Sequence, residues 1–222
     1  MWVKICAHTN LQDALLSAAY GADALGFVFA PSKRRVTAEQ VATITPHLPP
    51  AVERVGIFAG HSAEEIAQAA ASAGLNAVQL HDGFNAALTD NLLLRLGLTA
   101  NIIQTVLWKV GDPGQAEEVT RRLDQILAHS ETLPRVLVDA KVGAGSGGLG
   151  ISFDWSEAQP VFAAFASRAR LILAGGLHPD NVKDAIRTLK PWGVDVASGV
   201  EAQPGSKDSE KLQKFLQGAR QT

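Results

Sequence analysis

Cys6 is the only cysteine in the chain, and it falls at the end of a short apolar run that opens at Val3. A lone cysteine is more often a small apolar core residue than a reactive one. One that ends a strand and faces an open mouth can instead remove a proton, provided that nearby cations favour its thiolate. Asp139 ends another apolar run, after Val136, Leu137 and Val138. Partial burial there raises a carboxyl pKa and makes the group a proton donor, although a salt bridge or a loop cap would use the same residue. Arg34 belongs to the basic cluster Lys33-Arg34-Arg35, which reads either as a solvated surface or as a guanidinium gripping a carboxylate through two parallel hydrogen bonds. Gly175-Gly176 and Ser198-Gly199 follow the last two apolar runs. Such bare backbone makes tight turns, or offers amide N–H groups, aided by the positive end of a short following helix, to an anion such as phosphate. His81, Gln79 and Asp195 are further candidates for the same pocket. An acid, a base, a cation and an anion site suit proton movement between neighbouring atoms of one small phosphorylated substrate.

These residues need a scaffold that gathers them. Short apolar runs recur at Val3–Ala7, Ala24–Phe29, Arg54–Phe58, Ala77–Leu80, Asn101–Lys109, Arg135–Asp139, Leu171–Ala174 and Val194–Ala197. Continuous rather than alternating apolar character predicts strands covered on both faces, as in a parallel sheet. Helical patterns lie between them. Leu11, Ala14, Leu15, Ala18 and Ala19 share one face, and Thr37 with Gln40 and Ser62 with Glu65 read as capping boxes. Pro179 before Val182, Ile186 and Leu189 reads as proline at a first helical position, and Ser209 leads into a terminal helix. Gly21, Gly74 and Gly193 each precede an apolar run, as glycines that end a helix in the left-handed conformation would. Strict alternation of eight strands with helices predicts an α/β fold, a single-domain (β/α)8 barrel over residues 1–222, near minimal size. In such a barrel the strand C-termini carry the chemistry, and all the candidates above lie at or beside those ends. The competing open sheet would carry a dinucleotide fingerprint after its first strand, where Cys6-Ala7-His8-Thr9-Asn10 has none.

Composition narrows the function classes. With 20 basic and 22 acidic residues the net charge is −2, so no general attraction to nucleic acid or to an anionic membrane surface follows. One cysteine cannot form an intrachain disulfide or a cysteine zinc cluster. The histidines His8, His47, His61, His81, His129 and His178 show no metal-binding spacing. The first residues do not resemble a signal peptide, and no apolar run is long enough to span a membrane, so a cytoplasmic location is expected. The segment Val142–Gly150 is glycine-rich without the Gly-Lys-Ser/Thr ending of a P-loop, and reads as a lid. Lys109 is the one lysine placed for Schiff-base chemistry.

Taken in order, several motifs resemble the phosphoribosylanthranilate isomerase family across almost the whole chain. They are Lys4-Ile5-Cys6 with Thr9, Gly21-Ala22-Asp23 running on to Gly26-Phe27-Val28-Phe29, and Ser32-Lys33-Arg34. Next come Val55-Gly56-Ile57-Phe58, Val78-Gln79-Leu80-His81, Phe153-Asp154-Trp155 and Leu173-Ala174-Gly175-Gly176-Leu177 with Pro179 and Asn181-Val182. Asp195 through Glu201 follows, with Pro204-Gly205 and Lys207-Asp208. The resemblance implies a cofactor-free (β/α)8 barrel, monomeric or homodimeric, that performs an Amadori rearrangement on a phosphosugar. It implies Asp139 as general acid, Cys6 as general base, Arg34 as the partner of the anthranilate carboxylate, and Gly175, Gly176, Ser198 and Gly199 around the phosphate. The chain departs from the family pattern at Ala7, His8, Asp82, Leu149 and Ile151. At Ala7 a methyl replaces hydrogen beside the base and would push the first loop outward. At His8 an imidazolium would favour the Cys6 thiolate. Two alternatives stand beside the isomerase: a divergent paralogue acting on another N-substituted phosphosugar, and a non-catalytic phosphosugar-binding barrel.

Overall fold

The computed structural model describes residues 1–97, 101–141 and 154–221. Eight parallel strands close a barrel in chain order: β1 (Trp2–Ile5), β2 (Ala24–Val28), β3 (Glu53–Phe58), β4 (Ala77–Leu80), β5 (Asn101–Lys109), β6 (Arg135–Lys141), β7 (Arg170–Leu173) and β8 (Gly193–Val196). Helices α1 (Leu11–Ala19), α2 (Ala38–Ala42), α3 (Ala63–Ser72), α4 (Ala86–Leu96), α5 (Gln115–His129), α6 (Trp155–Phe165) and α7 (Val182–Leu189) join successive strands. After β8 comes a hairpin of β9 (Glu201–Gln203) and β10 (Ser206–Lys207), then α8 (Ser209–Arg220). This is the expected (β/α)8 architecture, and each apolar run forms a strand within two residues of its expected limits. Among the described residues no helix is long and apolar enough to cross a membrane.

The two-residue period of a strand decides which side chains face the barrel axis. On β1, Val3 and Ile5 point outward into the core shared with the helices, while Lys4 projects the other way, to meet Asp195 from β8. On β6, Val136, Val138 and Ala140 join the outer core and Leu137 packs in the barrel interior with Ala24, Val55, Ala77, Ile103 and Ile172. Asp139, two residues beyond Leu137, therefore shares its inward face. At the opposite end Arg135 closes the barrel. Its guanidinium pairs with Glu53 at 3.0 and 2.8 Å and lies 4.6 Å from the Trp2 ring and 5.4 Å from the Trp192 ring.

Both capping boxes form, Thr37 with Gln40 and Ser62 with Glu65. Two local expectations need correction. Pro179 is not the first residue of α7. The helix begins at Val182 after Asn181, whose side chain instead donates to the Gly176 carbonyl at 2.9 Å and thereby holds the preceding loop. Gly193 is not a left-handed helix terminator as Gly21 and Gly74 are (φ +93° and +63°). It lies within β8, where a Cβ would come 2.8 Å from the Trp2 ring, and Lys190 takes the left-handed position at the end of α7.

Candidate active site

A cavity of about 400 Å³ opens at the C-terminal ends of the strands, and its wall includes Cys6, Arg34, Gln79, His81, Asp139, Gly175, Gly176, Asp195 and Ser198. Nine of the ten residues singled out in the sequence thus share one cavity. The tenth, Gly199, lies behind it, packed against the main chain of Leu177 and His178.

Cys6 sits one residue beyond β1, with its N–H bonded to Val196 at 2.8 Å. It is 8% exposed, and that remaining opening is into the cavity. Gly26 on β2 makes room for the sulfur, since a Cβ there would come within 2.8 Å of Sγ. Burial pushes the thiol above its ordinary range, and Asp195 adds to this. Lys4 and Lys207 act in the opposite direction. Lys4 is fully buried and bonds Asp195 at 2.8 Å. Burial works against its charge, but Asp195 and Cys6 outweigh it and hold Lys4 above the usual lysine value.

Asp139 faces Cys6 from the other side of β7 and β8. Burial raises its pKa to about 7, and the negative charge of Asp195 contributes. Asp195 is paired with Lys4 at 2.8 Å, while Asp139 is poised to hold a proton. His81 Nε2 lies 4.0 Å from Asp139 Oδ2. Gln79 is buried and donates to Thr105 Oγ1 at 3.3 Å, while its carbonyl oxygen has no hydrogen-bond partner among the described residues.

Arg34 is not a free surface cation. Its Nε donates to both oxygens of Glu201, at 2.9 and 3.0 Å, and its Nη2 donates to Oε2 at 2.7 Å. The Nε–Nη2 edge is therefore occupied. The backbone after β7 and β8 shares the cavity wall. Gly175 and Gly176 both have positive φ, +87° and +66°, and a Cβ at 175 would collide with Ala140. Only glycine lets this turn pass so close to β6.

The departures from the family pattern resolve physically. His8 does not supply an imidazolium. It is fully buried, its Nε2 lies 2.8 Å from Ser17 Oγ on α1, and burial, reinforced by Lys207, pushes it well below the ordinary histidine range, so it is neutral. Beside Ala7 the loop is tied to β2, His8 N–H bonding the Gly26 carbonyl at 2.9 Å. The cost appears in the backbone, at a left-handed φ of +64°. Ala7→Gly is therefore expected to stabilise the fold by about 1 kcal/mol, less the extra entropy of the unfolded chain, which a urea titration of both proteins checks. Asp82 ties two loops together by accepting from the Gly60 N–H. Leu149, Ile151 and the glycine-rich segment 142–150 lie outside the described residues. Lys109 is solvent-exposed beside Asp112 at 3.7 Å, off the cavity wall.

Lys4, Glu201 and Lys207 were not among the site candidates. Lys4 and Asp195 each interrupt an apolar strand on adjacent strands in register, and two opposite charges so placed signal a buried pair. Glu201 and Lys207 flank Pro204-Gly205, a turn signal that brings them together across the β9–β10 hairpin.

A closed parallel barrel with ionisable groups gathered at its C-terminal mouth defines a (β/α)8-barrel enzyme. The model of the N-(5'-phosphoribosyl)anthranilate (PRA) isomerase family matches residues 3–218. The N-(5'-phosphoribosyl)anthranilate isomerase of Pelobacter propionicus is 41% identical over 99% of this chain and 96% of its own length. That of Thermotoga neapolitana is 42% identical over 98% of both chains. The crystal structure of phosphoribosyl anthranilate isomerase from Thermotoga maritima superposes with a TM-score of 0.82 at 38% identity, covering all of both chains. The chain belongs to the N-(5'-phosphoribosyl)anthranilate isomerase family.

Proposed function

We propose that the chain catalyses the Amadori rearrangement of N-(5-phosphoribosyl)anthranilate to 1-(2-carboxyphenylamino)-1-deoxyribulose 5-phosphate, an isomerisation in tryptophan biosynthesis. Asp139 acts as general acid and Cys6 as general base. The protonated Asp139 gives its proton to the ribose ring oxygen as the bond from that oxygen to C1 breaks. The nitrogen lone pair forms the C1–N double bond. The Cys6 thiolate then takes the proton from C2, the electrons shift to give an enolamine, and this tautomerises to the ketone. Arg34 receives the anthranilate carboxylate, and the amides around Gly175, Gly176 and Ser198 receive the phosphate, with Gly199 allowing the two loops to close together. Gln79, His81 and Asp195 line the space for the ribose. The observation that carries this reading is the placement of Cys6 and Asp139 on one small cavity, with Arg34 and the glycine backbone also on its wall.

A related solved structure, 38% identical with a TM-score of 0.79 over all of both chains, holds reduced 1-(o-carboxyphenylamino)-1-deoxyribulose 5-phosphate, a ligand with the carboxylate and phosphate required here. Another relative is described as monomers of the dimeric Thermotoga maritima enzyme. For this chain we infer a monomer or homodimer, working as one domain in the cytoplasm. The substrate, made in situ, is followed by its fluorescence. Turnover supports the reading. Phosphate-dependent thermal stabilisation without turnover favours a paralogue or a binding protein. Arg34→Ala is expected to raise KM by about tenfold or more, the worth of a charge-assisted hydrogen bond, with a smaller change in kcat. An unchanged KM contradicts the carboxylate role.

A further inference from the structure

The hairpin after β8 packs against the segment that follows the neighbouring strand β1. Its Gly205 carbonyl accepts from Thr9 Oγ1 at 2.6 Å, and its Lys207 N–H bonds Asp13 at 2.7 Å. Both partners belong to the β1–α1 segment that follows Cys6. Lys207 has no exposed side-chain surface. Its Nζ donates to the Cys6 carbonyl at 2.5 Å and lies 3.4 Å from Glu201 Oε1. Glu201, 4% exposed, is held also by the Gly205 N–H at 3.2 Å, and turns both oxygens to Arg34. An unbroken chain of buried charge thus runs from Arg34 through Glu201 and Lys207 to the main chain of Cys6.

We propose that Glu201 and Lys207 are a positioning pair for the rearrangement: Glu201 fixes the plane of the guanidinium that receives the substrate carboxylate, while Lys207 fixes the main chain of the base and compensates the charge of its thiolate. This rests on the roles given above to Arg34 and Cys6. A salt bridge serving stability alone would not place one cation on the carbonyl of the base and its carboxylate on the edge of the clamp. The charges acting on the sulfur are Lys4 from β1, Asp195 from β8, Lys207 from β10 and Arg34 from the segment after β2. Lys4 is bonded to Asp195 and also hydrogen-bonds the sulfur, on which it acts more strongly than Lys207; Arg34 is bonded to Glu201. Burial lowers Lys207, while Glu201 and Cys6 hold it up, so each member of the chain maintains the charge of the next.

Because Cys6 is the only cysteine, alkylation by iodoacetamide reports on it alone. In Lys207→Met the pH midpoint of alkylation is expected to rise by about one unit, and kcat to fall about a hundredfold with KM nearly constant. In Glu201→Gln, KM is expected to rise about tenfold, with a smaller loss of kcat. Should the methionine variant fail to fold, Lys207→Gln is used. Its amide can keep the bond to the Cys6 carbonyl while losing the charge, and the same rise in midpoint is expected. Wild-type midpoints in the neutral Lys207 variants, or a Glu201→Gln variant with unchanged KM, would overturn the pairing. The alkylation measurement needs no substrate, so it stands apart from the assignment of the reaction. Failure of the unsubstituted chain to turn over phosphoribosylanthranilate would sink that assignment and leave the thiol result intact.

Discussion

Asp139→Asn is expected to lower kcat about a thousandfold, the worth of a positioned general acid, while making the protein more stable in mild alkali. Both effects come from the same burial. The Asp139 carboxyl titrates at about 7 in the fold, well above an unfolded aspartate at about 3.9. Between those values the folded state binds the proton that the unfolded state has lost, so stability falls as pH rises from about 4 to about 7. The full cost of ionising Asp139 above that window is on the order of 4 kcal/mol. Asparagine never ionises, and its oxygen can still accept from the Ala140 N–H that Asp139 engages. Thermal melts at pH 4 and pH 8 should show the variant gaining on the parent only at the higher pH. Equal melting behaviour at both would mean that Asp139 is not held protonated.

The same values shape the pH–rate profile. The proposed mechanism needs Asp139 protonated and Cys6 ionised, yet Asp139 titrates at about 7 and the thiol is held above its ordinary range. Below about 7 both groups carry protons and the base is missing. Between the two titrations the common form has the charge on the wrong partner, and the productive form is a small, constant fraction. The value of kcat/KM should therefore rise tenfold per pH unit up to about 7 and then run level toward the thiol range. A decline through pH 7 would contradict this order of titration.

Cys6→Ser is expected to lower kcat by about a thousandfold or more at unchanged fold. The hydroxyl matches the thiol in shape, so the space left by Gly26 still accommodates it. An alcohol, however, is a far poorer source of an anion than a thiol, and Lys4 and Lys207 cannot make up the difference. Product should still bind, because Arg34 and the loops after β7 and β8 are untouched. A variant that has lost both turnover and product binding would place Cys6 in the structure of the pocket rather than in the chemistry.

Much of this arrangement was legible in the residues. The eight apolar runs determine the strands because a parallel barrel buries both strand faces, and one βα repeat after another leaves few other topologies. Cys6, Asp139 and the glycine pairs could be singled out because strand C-termini are where such a barrel exposes its chemistry. Less was legible where a role depends on contacts distant in sequence. Arg34 is legible as a carboxylate-binding candidate, but not the Glu201 carboxylate, 167 positions away, that holds its guanidinium. His8 reads as a titrating neighbour of the base, because adjacency in sequence does not reveal which way a ring points. After the left-handed turn at Ala7, its ring points instead toward Ser17, away from the sulfur's cavity. Lys4 was hidden by a rule that usually holds, that lysines stay in water unless paired, and its partner lies across the seam where the barrel closes.

The central claim, that one thiol and one carboxyl group act on a single bound phosphosugar, is tested most directly by single-turnover decay of phosphoribosylanthranilate fluorescence with protein in excess. The unsubstituted chain is compared with the Cys6→Ser/Asp139→Asn double variant, itself first shown to bind the reduced product analogue. The account predicts rapid decay with the former and the uncatalysed rate with the latter. Decay by the double variant within about tenfold of the parent would contradict it.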